Sequence, residues 1–157
     1  MNISSYLNKF MLDIKVISFK EFDIEELYNV LQLRSDIFVV EQDCVYLDID
    51  GKDDKAIHVI GFKDNTVVAY TRIFKPGDYF DQVSIGRVAV HKNFRKFGYG
   101  KVIMEASIKA VEERFSENEI KISAQKYLTK FYTDLGFNAI GKEYLEDGIP
   151  HIEMIKK

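Results

Sequence analysis

Apolar positions along the chain switch repeatedly between a period of two and a period of about 3.6, and the switches mark the elements. Residues 12–19 alternate as a strand. Asp23 stands where an N-cap belongs, Glu25 and Glu26 occupy the first turn, and Leu27, Val30, Leu31 and Leu33 follow at helical spacing. This predicts a helix over 24–39, broken near Asp36. Residues 41–55, EQDCVYLDIDGKDDK, lose the period and read as an acidic loop. Residues 56–63 and 66–74 are apolar, β-branched runs joined by Asp64-Asn65, a hairpin signature. After a Lys75-Pro-Gly-Asp turn, residues 83–90 form a fourth strand. Helical period returns over 101–115 through Val102, Ile103, Ala106, Ala110 and Val111. A short strand over 119–124 leads to a helix over 126–135 with Gly136 at C′, and strands over 137–145 and 152–156 flank a loop at 146–150. The order defines an α+β fold in which helices cover a mixed sheet.

Composition narrows the function. The 157 residues suit one domain, taken as 11–157 with residues 1–10 as an extension. A hydrophobic share of 46% excludes extensive disorder, and a net charge of −3 speaks against a general binder of nucleic acid or anionic membrane. Asn8, Lys9, Asp13 and Lys15 interrupt any apolar run at the amino terminus, so neither a signal peptide nor a membrane span is expected there. The single cysteine, Cys44, suits a reducing cytoplasm and is not needed as a nucleophile. No metal is expected.

The most informative stretch joins the fourth strand to the following helix. Between them lies Arg95-Lys96-Phe97-Gly98-Tyr99-Gly100-Lys101. Glycine lacks a Cβ and tolerates positive φ, so residues 98 and 100 let backbone N–H groups turn toward a ligand, with a helix dipole behind them. The pattern fits a diphosphate cradle. A P-loop is excluded by Arg95 and Val102, and a dinucleotide fingerprint by Ile103 at its third glycine.

The run resembles the acyl-CoA signature of the GNAT N-acetyltransferases, [Arg/Gln]-x-x-Gly-x-[Gly/Ala]. Gln125 to Phe137 resembles a second GNAT signature, Asn-x-x-Ala-x-x-[Phe/Leu]-Tyr-x-x-x-Gly-Phe, with Gln125 and Leu128 replacing Asn and Ala. Leu31-Gln-Leu-Arg34, Phe38-Val-Val-Glu41-Gln42, Asp48-Ile-Asp50-Gly51, Ile85-Gly-Arg87-Val88 and Glu146-Asp-Gly-Ile-Pro150-His151 are similar to the ElaA branch of that superfamily.

The resemblance implies a GNAT-like, mostly antiparallel sheet of six to seven strands flanked by helices. It implies acetyl-CoA as acyl donor and direct transfer to a primary amine in a ternary complex. The pantetheine arm would lie beside strand four at Val88, Ala89 and Val90, the diphosphate on residues 95–101, an amide contact at Gln125, and the phenol of Tyr132 near the sulfur. A protonated amine needs a base, for which Glu41, His58 and His151 are candidates, Glu41 first and His151 second. The acidic loop favours a cationic substrate, small or peptide-borne. Oligomeric state stays open, with a homodimer among the alternatives. The rival reading is a non-catalytic acyl-CoA sensor, which has no chemical reason to keep Tyr132.

Overall fold

The computed structural model describes residues 11–116 and 119–157. The expected extension at 1–10 lies outside them. Seven strands, β1 (Asp13–Ser18), β2 (Ile57–Lys63), β3 (Thr66–Phe74), β4 (Val83–Val90), β5 (Ile120–Gln125), β6 (Asn138–Glu146) and β7 (Ile149–Lys156), form one sheet in the order β1-β2-β3-β4-β5-β7-β6. Three helices, α1 (Ile24–Arg34), α2 (Tyr99–Arg114) and α3 (Thr129–Asp134), accompany it. Neighbouring strands are antiparallel except β4 and β5, which run parallel.

Strand β3 is buried from Val67 to Phe74 because both faces of the sheet are covered. Ala69 and Ile73 join Val59, Ile103, Met104 and Val111 in the core under α2, whereas Val67 and Tyr70 join Val30, Leu33 and Ile37 under α1. Helix α1 starts as expected, with the Asp23 carboxylate accepting from the Glu26 amide at 2.8 Å. Its predicted break falls at Ser35, where the chain widens into a π-helical turn over Ser35–Glu41. Glu41 therefore ends a helical segment instead of opening a loop.

Two further expectations are corrected. The loop at 146–150 contracts to a two-residue turn, Asp147-Gly148, with φ of 50° and 77°, and β7 begins at Ile149. Pro150 is tolerated there because β5 has already ended at the Gln125–His151 pair. The helix over 126–135 divides into a 3₁₀ turn, Lys126–Leu128, and the short α3.

The feature that positions the site is the failure of β4 and β5 to stay together. They pair only at Val83–Ile120 and Ser84–Lys121. Just beyond, Gly86 opposes Arg72 while Ala89 opposes Tyr70, so β4 carries one extra residue, and Arg87 takes the left-handed conformation with φ 50°. This β-bulge bends β4, and the sheet forks.

Candidate active site

The fork opens into a cleft of about 860 Å³. Val88 and Val90 line one wall, Ile122, Ser123 and Gln125 the other. The His91 amide donates to the Val68 carbonyl at 2.8 Å, and by the alternation of an antiparallel ladder this turns the N–H and C=O of Val90 away from β3, toward the open side. Arg95 Nε donates to the Val90 carbonyl at 3.0 Å, so that carbonyl is already engaged. Ala89 is buried in the core under α1, leaving only its backbone for a ligand.

The cradle is a 3₁₀ turn, Lys92–Phe97, followed by Gly98 with φ 75° and then α2. Gly98 meets the expectation of positive φ. Gly100 does not: it lies inside the first turn of α2, and a Cβ built there would come within 3.5 Å of the Phe131 ring, so its openness serves the cleft wall. The Tyr99 side chain is wholly buried, stacked on Phe94 at 6.3 Å, and turns away from any ligand. Lys96 and Lys101 are exposed, Lys96 lying over the Phe97 ring at 5.3 Å and Lys101 facing Glu105 at 3.8 Å.

Tyr132 lines the same cleft and is 5% exposed, packed edge-on against Phe131 and Phe137. Burial pushes its phenol up, which keeps it protonated. Gln125 Nε2 donates to Gln42 Oε1 at 3.3 Å across the cleft.

The three candidate bases separate. Glu41 lines the cleft, but its carboxylate takes both terminal nitrogens of Arg95 at 2.5 and 2.9 Å, which ties it to the cradle end. Those hydrogen bonds lower its pKa, making it a weaker base than a free carboxylate. His58 is buried away from the cleft, bonded to the Tyr70 hydroxyl at 2.6 Å and the Asp53 carbonyl at 2.9 Å. His151 does line the cleft. Its Nδ1 meets the Ile149 carbonyl at 2.6 Å, which accepts only, so Nδ1 carries a hydrogen, and Nε2 lies 3.2 Å from Glu146 Oε2.

The acidic loop is not an open trap for cations. Asp48 and Asp53 hold Arg34, Asp50 and Asp53 hold Arg72, and Asp48 holds Arg87, with every N–O distance at or under 3.0 Å. Three carboxylates answer three guanidinium groups, so the loop is fastened to α1, β3 and β4. Sequence reasoning missed this network, although Arg34, Asp48, Asp50 and Arg87 were in its motifs. It also missed Ser123, Tyr144 and Glu146: the Ser123 hydroxyl meets the Tyr144 hydroxyl and donates to Glu146 Oε2 at 3.2 Å. Cys44 sits on the cleft wall with its thiol donating to the Asp147 carbonyl at 3.4 Å. Among the described residues no cluster of three or more His, Cys, Asp or Glu is arranged for a metal, and no helix is long and apolar enough to cross a membrane.

A forked, mostly antiparallel sheet with a glycine-opened helix at its mouth defines an acyl-CoA N-acyltransferase fold. The family model described as the acetyltransferase (GNAT) domain matches residues 34–157, and the chain belongs to that family. Within it, the chain is 37% identical to ElaA of Escherichia coli K12 over 149 residues, 94% of this chain and 97% of that protein. It is 39% identical to a UPF0039 protein of Synechocystis over 138 residues, 87% of this chain and 90% of the relative. The crystal structure of an acyl-CoA N-acyltransferase from Pseudomonas aeruginosa superposes with a TM-score of 0.87 at 37% identity, covering 93% of this chain and all of that one. Escherichia coli ElaA superposes with the same TM-score at 36% identity, covering 94% and 100%.

Proposed function

We propose that the protein transfers an acetyl group from acetyl-CoA directly to a primary amine. One observation carries the reading: the outward-turned Val90 amide, the glycine-opened start of α2 and the buried Tyr132 phenol all border one cleft. The residues fit the donor. Backbone amides from 95 to 101 suit its diphosphate, and the Val90 N–H suits an extended pantetheine arm that adds to the β4 edge. An amide near Val88 polarises the thioester carbonyl. Tyr132 gives its proton to the departing sulfur, and His151 Nε2 takes one from the amine. Glu41 holds Arg95 at the cradle instead of acting as base. The charge balance of the loop and the negative group at the far end, Glu146, favour a small amine over a strongly cationic peptide.

Calorimetric titration with acetyl-CoA, followed by thiol release over a panel of amines, tests the reading. Binding with amine-dependent release, and intersecting initial-rate lines that persist in Cys44→Ala, are the expected results. Parallel lines would point to an acyl-enzyme. Binding without release on any amine would make the protein a sensor.

A further inference from the structure

The π-helical turn over Ser35–Glu41 ends beside the cleft, and its last residue and the next reach opposite walls. Glu41 holds Arg95 at the cradle, whereas Gln42 Oε1 accepts from Gln125 Nε2 at 3.3 Å at the end of β5. The backbone that carries Gln42 is pinned: its own amide donates to the Ile37 carbonyl at 3.2 Å, and the Cys44 amide to the Val39 carbonyl at 3.0 Å. Wide turns of this kind recur at functional sites. By strand count, Gln125 stands five residues beyond the Ile120 that pairs with Val83, so it is level with Val88, or with Ala89 once the bulge is counted. A strand-like ligand on the β4 edge therefore passes the Gln42–Gln125 bridge.

The bridge leaves a specific set of groups unused. At 3.3 Å it exceeds the usual N–H···O range of about 2.7–3.2 Å, so it is weak and readily exchanged. It engages the carbonyl of Gln42 and one N–H of Gln125. Among the described residues neither side chain has a further hydrogen-bond partner, so Gln42 keeps its N–H pair and Gln125 keeps its carbonyl. A free N–H donor beside a free C=O acceptor complements a secondary amide, which carries one of each. An extended arm built from secondary amides, as pantetheine is, supplies that partner.

We propose that Gln42 is a donor-binding residue, and that with Gln125 it clasps a secondary amide of the acyl donor's pantetheine arm. This rests on the acetyl-CoA reading above. The weak bond between the two side chains is exchanged for two bonds to the arm: a Gln42 N–H donates to the arm's carbonyl, and the arm's N–H donates to the Gln125 carbonyl. In the free protein the same pair closes the groove on itself, so neither amide is left unsatisfied there. Glu41, the preceding residue, fixes Arg95, so the clasp and the diphosphate cradle are held at a set spacing.

Calorimetric titration with two ligands tests the clasp without turnover. Acetyl-CoA carries the arm, and the phosphoadenosine diphosphate half of the same molecule lacks it. Gln42→Ala should weaken acetyl-CoA binding about threefold to tenfold, as the loss of a neutral hydrogen bond does, and leave the affinity for the nucleotide half unchanged. Equal losses for the two ligands would make Gln42 a support of the cradle and overturn the clasp, as would no loss for either. In nuclear magnetic resonance of the ¹⁵N-labelled wild type, the side-chain amide signals of Gln42 and Gln125 should both shift with acetyl-CoA and stay in place with the nucleotide half. Acetyl-CoA binding that moves neither signal overturns the clasp alone and leaves the donor reading standing. Failure of wild type to bind acetyl-CoA at all overturns the donor reading and the clasp with it. If Gln42→Ala does not fold, the wild-type spectra decide.

Discussion

Tyr132 and His58 show how burial alone holds two titratable side chains in their neutral forms. Burial keeps the Tyr132 phenol protonated beside the cleft, so it holds a proton to give. Tyr132→Phe should lower kcat by about 10² to 10⁴ while acetyl-CoA affinity changes little, as measured by thiol release and calorimetry. His58 is buried where both ring nitrogens are satisfied in the neutral form, and burial pushes its pKa below the ordinary 6.5. The unfolded chain regains the ordinary value and binds the extra proton first. The stability His58 contributes is therefore complete above about pH 6.5 and is lost as pH falls through the folded value. Urea midpoints should drop as pH falls below about 6.5, with a slope of at most about 1.4 kcal/mol per pH unit from this residue. The slope should flatten in His58→Gln. At lower pH, burial of Asp50 opposes its charge but Arg72 prevails and holds it at about 2, so its contribution is lost between 3.8 and about 2. Tyr132 was legible in the sequence because its neighbours form a contiguous motif. The partners of Glu41 were not, since Arg95 lies 54 residues away and only the fold brings them together.

At the scale of elements, the cradle separates two glycines that look alike in sequence. Gly98 has φ 75°, and a Cβ added there would meet nothing within 4 Å, so Gly98→Ala meets only backbone strain. It should cost about 1 kcal/mol or more in a denaturation experiment. Gly100 is helical, and Gly100→Val should instead leave stability nearly unchanged and weaken acetyl-CoA binding by crowding the wall between Phe131 and Val90. If both variants lose stability equally, the division of labour is wrong. Most elements were readable from period and turn chemistry: the Asp64-Asn65 hairpin has φ of 48° and 63° at its two turn residues, as that signature demands. The fork was not readable. Hydrophobic period tells which core a residue faces, but not where one strand leaves its neighbour. The bulge at Arg87 leaves only a slip of phase in the sequence, from Val83 and Ile85 to Val88 and Val90, all facing one core. The arginine network escaped for a similar reason: Arg34 and Arg87 meet the same Asp48 from 14 and 39 residues away.

For the molecule as a whole, the two-pair junction between β4 and β5 leaves a strand edge in the middle of the sheet. Strand edges recruit other strands, and proteins guard them with charge or a covering side chain. Arg95 is such a guard: its guanidinium sits on the Val90 carbonyl and is itself fixed by Glu41. The donor's extended arm would complete the same edge, so the side chain and the ligand protect one vulnerable seam in turn. Arg95→Ala should therefore scatter more light than wild type as concentration rises, and saturating acetyl-CoA should suppress the difference. If the ligand-free variant stays as dispersed as wild type, the seam is guarded by shape alone. An edge open to the donor would thus make solubility depend on whether the donor is bound.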